Sequence, residues 1–279
     1  MSLTVFLAVL GAAVMHASWN AMLKVRLDRF ASISLMGLGT GVFALPFLFF
    51  VEVPQGMTWF WIAMSLAMHT GYRGFLVRAY ETGDLAQTYP LARGTAPLLT
   101  TLGGILLLQE APTPVALGGI VVLCSGTFLM SLRGGEMGFR GRAVRYALIT
   151  SLFITGYTLS DGSGARSAAT ATSYAAWLFF LDGIWVSVVC LAMRGPRIVR
   201  EIRGEWITGA VGGALSGIAY WIAMWAMTKA PIAAVAALRE TSILFAMLIS
   251  VVALGEKMTR WRALAALCIV LGVIAIRIG

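Results

Sequence analysis

A chain of 279 residues that is 59% apolar and only 12% charged carries too little polar surface to coat a globule in water, which excludes an ordinary soluble domain and leaves lipid as the solvent that fits. The formal charge of +9 does not make it a nucleic-acid binder, because the cations form no single basic patch. They sit instead in short clusters between apolar runs, the usual place for residues that set membrane topology and meet the anionic headgroups of a bilayer.

The apolar runs predict an all-α polytopic membrane protein of ten spans, each near the roughly 20 residues that cross the hydrocarbon layer. The first, Leu3–Leu23, lacks the charged leader of a secretion signal and is longer than a signal core, so it reads as a span. His16, Asn20 and Lys24 follow one another at i+4 on it, with Trp19 alongside. Such a polar stripe should face protein or water. His16, Trp19 and Asn20 are therefore candidate cavity residues, and Lys24 reads as a topology charge. The second span is Ser32–Val51. On the third, Trp59–Val77, His69 and Arg73 share a face and Tyr72 lies beside them. His69 reads as a ligand contact or proton carrier, or equally as a satisfied interhelical histidine. Arg73 is a candidate substrate contact, with snorkelling at the span end as the competing explanation.

The fourth span, Leu85–Leu108, contains Tyr89 and places Arg93 deep inside. A mid-membrane charge costs about 2.5–3.5 kcal/mol to insert and usually faces a cavity or a partner. The fifth is Thr113–Leu132. The sixth, Arg145–Ser160, is the weakest, diluted by Thr, Ser and Gly. The seventh, Thr170–Met193, carries Asp182 near mid-membrane. A carboxyl group isolated in hydrocarbon favours its neutral form, which makes Asp182 the candidate coupling-proton site; the competing reading is an Asp paired with an arginine. The eighth, Trp206–Met227, offers Tyr220 and Trp221 for stacking on a ligand or for filling packing gaps. The ninth, Ile232–Leu254, contains Arg239 and Glu240 at a depth similar to that of Arg93, and Trp261–Ile278 is the tenth. Arg93 and Arg239 are the leading substrate-binding candidates, since guanidinium suits a carboxylate, phosphate or phosphonate. Arg239 could alternatively pair with Glu240 or Asp182.

A shift of 146 residues lays the third to fifth spans on the eighth to tenth. Arg93 falls on Arg239, Thr95 on Thr241, Glu110 on Glu256, Thr113 on Thr259 and Gly126 on Gly272, while Ala63, Ala67 and Gly71 fall on Gly209, Gly213 and Gly217. Small residues at that spacing let helices approach closely in lipid. The two glutamates read as end-of-helix structure and the two threonines as N-caps. Two repeats are expected, residues 1–132 and 145–279, joined by a cytoplasmic linker at 133–144. Five spans per repeat make them inverted copies around a central cavity, an organisation typical of secondary transporters. Of 18 loop cations, 15 follow odd-numbered spans, which puts those loops in the cytoplasm and both termini outside.

Absences narrow the chemistry. There is no phosphate-binding Gly-rich loop for ATP and no zinc-protease or serine-hydrolase motif. Two histidines and three isolated cysteines, Cys124, Cys190 and Cys268, leave neither a metal cage nor a disulfide framework, and no cofactor is expected. An enzyme is not expected. An intramembrane enzyme acting on a lipid-linked group, the main alternative, would need a clustered acid/base or nucleophile set, and a transport-silent assembly subunit is the other.

Trp19-Asn20 on the first span and the repeated Leu-x-Glu-x-x-Thr at Leu108–Thr113 and Leu254–Thr259 resemble the EamA-type branch of the drug/metabolite transporter superfamily. The resemblance covers essentially the whole chain. It implies a basket of ten helices around a central cavity that moves small metabolites, often amino acids or related compounds and often outward; location in a bacterial inner membrane, a monomeric or homodimeric state and proton coupling with Asp182 as the candidate site are expected alongside it. The stretch His16–Lys24 further resembles a subgroup linked to phosphonate utilisation. Members of that branch usually keep both termini in the cytoplasm, which is opposite to the loop-charge expectation.

Overall fold

The computed structural model describes residues 1–22, 29–83, 85–133, 141–255 and 257–279. The topology charges Lys24, Arg26 and Arg140, part of the 133–144 linker and the end-of-helix Glu256 lie outside the described residues. Among the described residues all regular structure is helical: α1 (Leu3–Met22), α2 (Arg29–Ala44) with a 3-10 extension (Leu45–Phe49), α3 (Met57–Thr82), α4 (Leu85–Leu108), α5 (Pro114–Arg133), α6 (Gly141–Ser167), α7 (Ala171–Arg194), α8 (Arg197–Arg203), α9 (Trp206–Met227), α10 (Ile232–Arg239), α11 (Thr241–Leu254) and α12 (Arg260–Ile278).

Among the described residues, seven stretches are long and apolar enough to cross a membrane: α1, α2 with its extension, α4, α7, α9, the α10–α11 pair and α12. Two further helices, α3 and α6, run to 26 and 27 residues and fall short on composition rather than length. The two pack along each other, and polar residues along their middles, such as Ser65 on α3 and Ser151, Thr158 and Asp161 on α6, are buried. Leucines, valines and phenylalanines such as Phe49, Leu106, Leu152 and Val252 point outward, as an envelope in contact with lipid requires.

Each expected span overlaps helix among the described residues; α3 runs on to Thr82 and α6 starts at Gly141, and three further differences from the sequence reading matter here. The sixth helix does not stop at Ser160 but continues to Ser167. Its Thr and Ser side chains bond to backbone carbonyls of its own or a neighbouring helix, so they are compatible with burial. Ser151 Oγ donates to the carbonyls of Ala147 and Ala92, both at 3.0 Å, and Thr155 Oγ1 to that of Ala96 at 3.2 Å. Both accepting carbonyls outside α6 belong to α4, so these hydroxyls also tie α6 to α4. The ninth span is broken. α10 ends at Arg239 and α11 begins at Thr241, with Glu240 between them. The N–H of Glu240 bonds to the Ala237 carbonyl and the N–H of Ile243 to the Glu240 carbonyl, both at 3.0 Å, so tight three-residue turns interrupt the ladder. The third difference is the short α8, which lies between the seventh and eighth expected spans.

Glycine sets the closest crossing. A Cβ on Gly39 of α2 would lie 2.1 Å from the carbonyl oxygen of Gly209 on α9, and one on Gly213 would lie 2.5 Å from the Gly39 backbone. The expected small-residue stripe is thus used on α9. On α3, Ala63 and Ala67 are exposed, whereas Gly71 packs against the Phe153 ring of α6, so only the last member of that stripe makes a close approach. The expected N-caps form: Thr113 Oγ1 accepts from the N–H of Ala116 at 3.1 Å and Thr259 Oγ1 from that of Arg262 at 3.3 Å.

Candidate functional site

Arg93 on α4 and Glu240 at the α10–α11 break are both almost completely buried, 5% and 4% exposed, and face each other across the bundle. Arg93 Nε donates to Glu240 Oε2 at 2.9 Å. This side-on contact uses one edge of the guanidinium and leaves Arg93 Nη2 buried without a hydrogen-bond partner. Arg239, one residue before Glu240, lays its guanidinium over the Tyr220 ring of α9 at 4.5 Å. Arg93, Arg239 and Glu240 together line a small cavity whose wall is completed by Pro97 of α4 and by Tyr157 and Thr158 of α6, with room for about one water molecule. The helix break explains the convergence, since an interrupted span presents polar side chains and free backbone groups at mid-depth.

Arg239 therefore pairs with neither carboxylate offered to it by the sequence. Glu240 belongs to Arg93, and Asp182 of α7 belongs to Arg73 of α3, whose Nη1 reaches Asp182 Oδ1 at 2.9 Å while Nη2 contacts Oδ2. This bidentate pair means that Asp182 is not an isolated carboxyl and that Arg73 does not snorkel out to the headgroups. Both premises are replaced by a two-pronged link between helices.

The remaining expected residues divide between the aromatic floor and other packing. His69 stacks on Tyr157 with centroids 4.1 Å apart, and its Nδ1 lies 3.0 Å from the Ser65 carbonyl and 3.1 Å from Ser65 Oγ. Tyr72 meets the same Tyr157 edge-on at 5.6 Å, and the Tyr89 ring lies 5.9 Å from the Arg93 guanidinium. Trp221 donates from Nε1 to Thr172 Oγ1 at 3.3 Å and packs on Phe47, tying α9 to α7 and to the end of α2. On α1, Asn20 donates to the His16 carbonyl at 2.8 Å within its own helix, and His16 meets Trp19 edge-on at 5.0 Å. Trp19 Nε1 is buried without a partner. None of these three lines the arginine cavity.

Three functional candidates were missed by the sequence reading: Tyr157, Tyr174 and Asp161. Asp161 is completely buried on α6 and accepts from the Tyr174 hydroxyl at 3.0 Å and from that of Tyr220. Ending the sixth span at Ser160 left Asp161 just outside the membrane in the sequence reading. Glu110 is more than end-of-helix structure. It pairs with Arg166 at the end of α6 and accepts from the Ile232 N–H at the start of α10 at 3.2 Å, while Arg166 also donates to the Met227 and Ala230 carbonyls.

An all-helical membrane protein whose buried arginines and carboxylates converge on an internal cavity has the construction of a membrane transporter. The chain belongs to the EamA-like transporter family, whose model matches residues 3–132 and 142–278, and it is a membrane transporter of the drug/metabolite type. A solved crystal structure, described only as that of a protein, shares the fold with a TM-score of 0.80 at 17% identity, covering 98% of this chain and 98% of its own. Among curated proteins, no relative matches the chain.

Proposed function

We propose that this protein is a secondary active transporter, an exporter in a bacterial inner membrane, that moves a small polar or anionic metabolite such as an amino acid, organic acid or phosphonate by alternating access between two inverted five-span repeats. One observation carries the substrate class. Arg93 Nη2 is a charged donor held away from water with no acceptor, on a residue that lines a cavity with Arg239 of the other half. A buried charged donor left unsatisfied costs more than the roughly 1–3 kcal/mol of a neutral one. A substrate oxyanion is the acceptor that would remove this cost. Packing supports the repeat arrangement: under the 146-residue shift, the contact of α3 with α6 corresponds to that of α9 with α1, and the contact of α4 with α6 to that of α10 and α11 with α1. The cavity as it stands is too small for such a substrate, in keeping with a closed stage of the cycle.

Thermal-shift screening of purified protein against amino acids, phosphonates and organic acids should find an anionic stabiliser. Arg93→Ala should abolish that stabilisation and lower its transport into vesicles at least about tenfold, the scale of a lost charge-assisted hydrogen bond. Arg93→Lys keeps the charge for Glu240 but not the planar fork, and should fold normally while binding poorly. Normal transport by both variants would sink the anion-site reading.

A further inference from the structure

Each of the two buried carboxylates described above has an arginine: Glu240 has Arg93 and Asp182 has Arg73. Asp161 does not. It is completely buried, no cation lies within ion-pair distance of it among the described residues, and its partners are hydroxyls: the phenols of Tyr174 of α7 and Tyr220 of α9 and the Ser65 hydroxyl of α3. A carboxyl placed this way is held by groups that tolerate both of its protonation states, because a tyrosine hydroxyl can donate or accept. An arginine can only donate, and so commits its partner to the ionised form. Asp161 is thus the buried acid best placed to gain and lose a proton without stranding a countercharge.

Its surroundings connect it to the cavity. Tyr157 and Thr158, which wall the cavity, precede Asp161 by one turn on α6. Tyr220 bridges the rest of the way, with its hydroxyl on Asp161 and the Arg239 guanidinium over its ring at 4.5 Å. From α3 the charged and titratable groups are His69, engaged with Ser65, and Arg73, which is committed to Asp182 of α7; from α4, Arg93 is committed to Glu240. Tyr220 and Arg239 are thus the link from Asp161 toward the cavity, while Ser65 and His69 form a second titratable contact on the α3 side.

We propose that Asp161 is the proton-binding site of the transporter, and that its protonation is passed to the substrate cavity through Tyr220 and Arg239. As a carboxylate, Asp161 accepts from both phenols. As a neutral acid it must itself donate one hydrogen bond, so one of these hydroxyls has to change from donor to acceptor or leave. The proton comes from water and returns to water, and only an O–H bond forms and breaks. The use of this proton rests on the transport reading above, but its detection does not.

The experiment is infrared pH-difference spectroscopy on the purified full chain in lipid nanodiscs without any substrate. Wild-type protein should show a pH-dependent carboxylic-acid carbonyl band that disappears in Asp161→Asn and persists in Asp182→Asn. Should Asp161→Asn not fold, Asp161→Glu keeps an acid at the site and must move the band. Tyr220→Phe and Arg239→Gln should each shift its frequency, as the link requires. A band unchanged in Asp161→Asn or Asp161→Glu, or no pH-dependent acid band in wild type, overturns the site. A band indifferent to both Tyr220→Phe and Arg239→Gln overturns the link. Loss of anion binding in Arg93→Ala is a separate measurement, so failure of the proton site and failure of the substrate reading give different results.

Discussion

Arg73 and Asp182 reach each other from α3 and α7 through two parallel contacts, with side chains 20% and 13% exposed. Removing one partner leaves the other charged and mostly withdrawn from water, whereas replacing both with apolar side chains removes the charges together. Arg73→Met or Asp182→Leu alone should therefore lower stability by about 2–3 kcal/mol, discounted from the fully buried case for the remaining exposure. The double variant should recover most of that loss. Unfolding of the three variants in detergent measures it, and single variants as stable as the wild type would mean that the pair holds nothing together. At this scale the sequence disclosed that Arg93, Arg239 and Asp182 lie inside the membrane, because charge inside an apolar run stands out. It could not disclose who pairs with whom. Glu240 and Asp182 are equally plausible partners for an arginine until the helices are packed, and Asp161 carried no signal while its helix was thought to end one residue earlier.

Helices are where the sequence was most legible, because a span needs only length and apolarity, and both are local properties. Trp206–Met227 and Leu85–Leu108 have the boundaries that hydropathy gives them. The misreadings share one cause. Hydropathy treats a polar residue as a residue in water, but Ser151, Thr155 and Asp161 on α6 are satisfied by other helices. The break between α10 and α11 did leave a trace, the four polar residues Arg239-Glu240-Thr241-Ser242 in the middle of an apolar run, of which Glu240, Thr241 and Ser242 are buried. Glycine gives the test of packing at this scale. Gly39 has the backbone of α9 in the place of its missing Cβ, so Gly39→Ala must push α2 and α9 apart at a cost of about 1–3 kcal/mol, the usual range for overpacking. Gly11 on α1 has nothing within 4 Å of that position, and Gly11→Ala should be neutral or gain about 0.5–1 kcal/mol from reduced backbone freedom. Equal thermal stabilities for the two variants would refute the close crossing.

Orientation belongs to the whole molecule, since it depends on which end of the bundle holds the excess of Lys and Arg. The end formed by the even-numbered connections has few cations, and the structure occupies two of them locally. Arg166 is bound to Glu110 and to two carbonyls, and Arg277 Nη1 donates to the Met1 carbonyl at 2.8 Å with its guanidinium 5.9 Å from the Phe6 ring. Arg166 and Lys229 are exposed and Arg277 is half-buried. At the opposite end Arg194, Arg197, Arg200 and Arg203 flank or form the short α8, whose sequence of alternating charge and Ile or Val suits a helix lying along the headgroups. Inward retention follows Lys and Arg near span ends, and by that count the odd-numbered connections carry the excess. The expected result is that a periplasmic reporter enzyme fused after Gly279 is active and a cytoplasmic fluorescent reporter fused there is dark. A fluorescent fusion would invert the molecule: the Glu110–Arg166 link, which joins the ends of α4, α6 and α9 to the start of α10, would then close the cytoplasmic mouth rather than the outer one. The same fusion therefore decides which side of the membrane the closed stage seals.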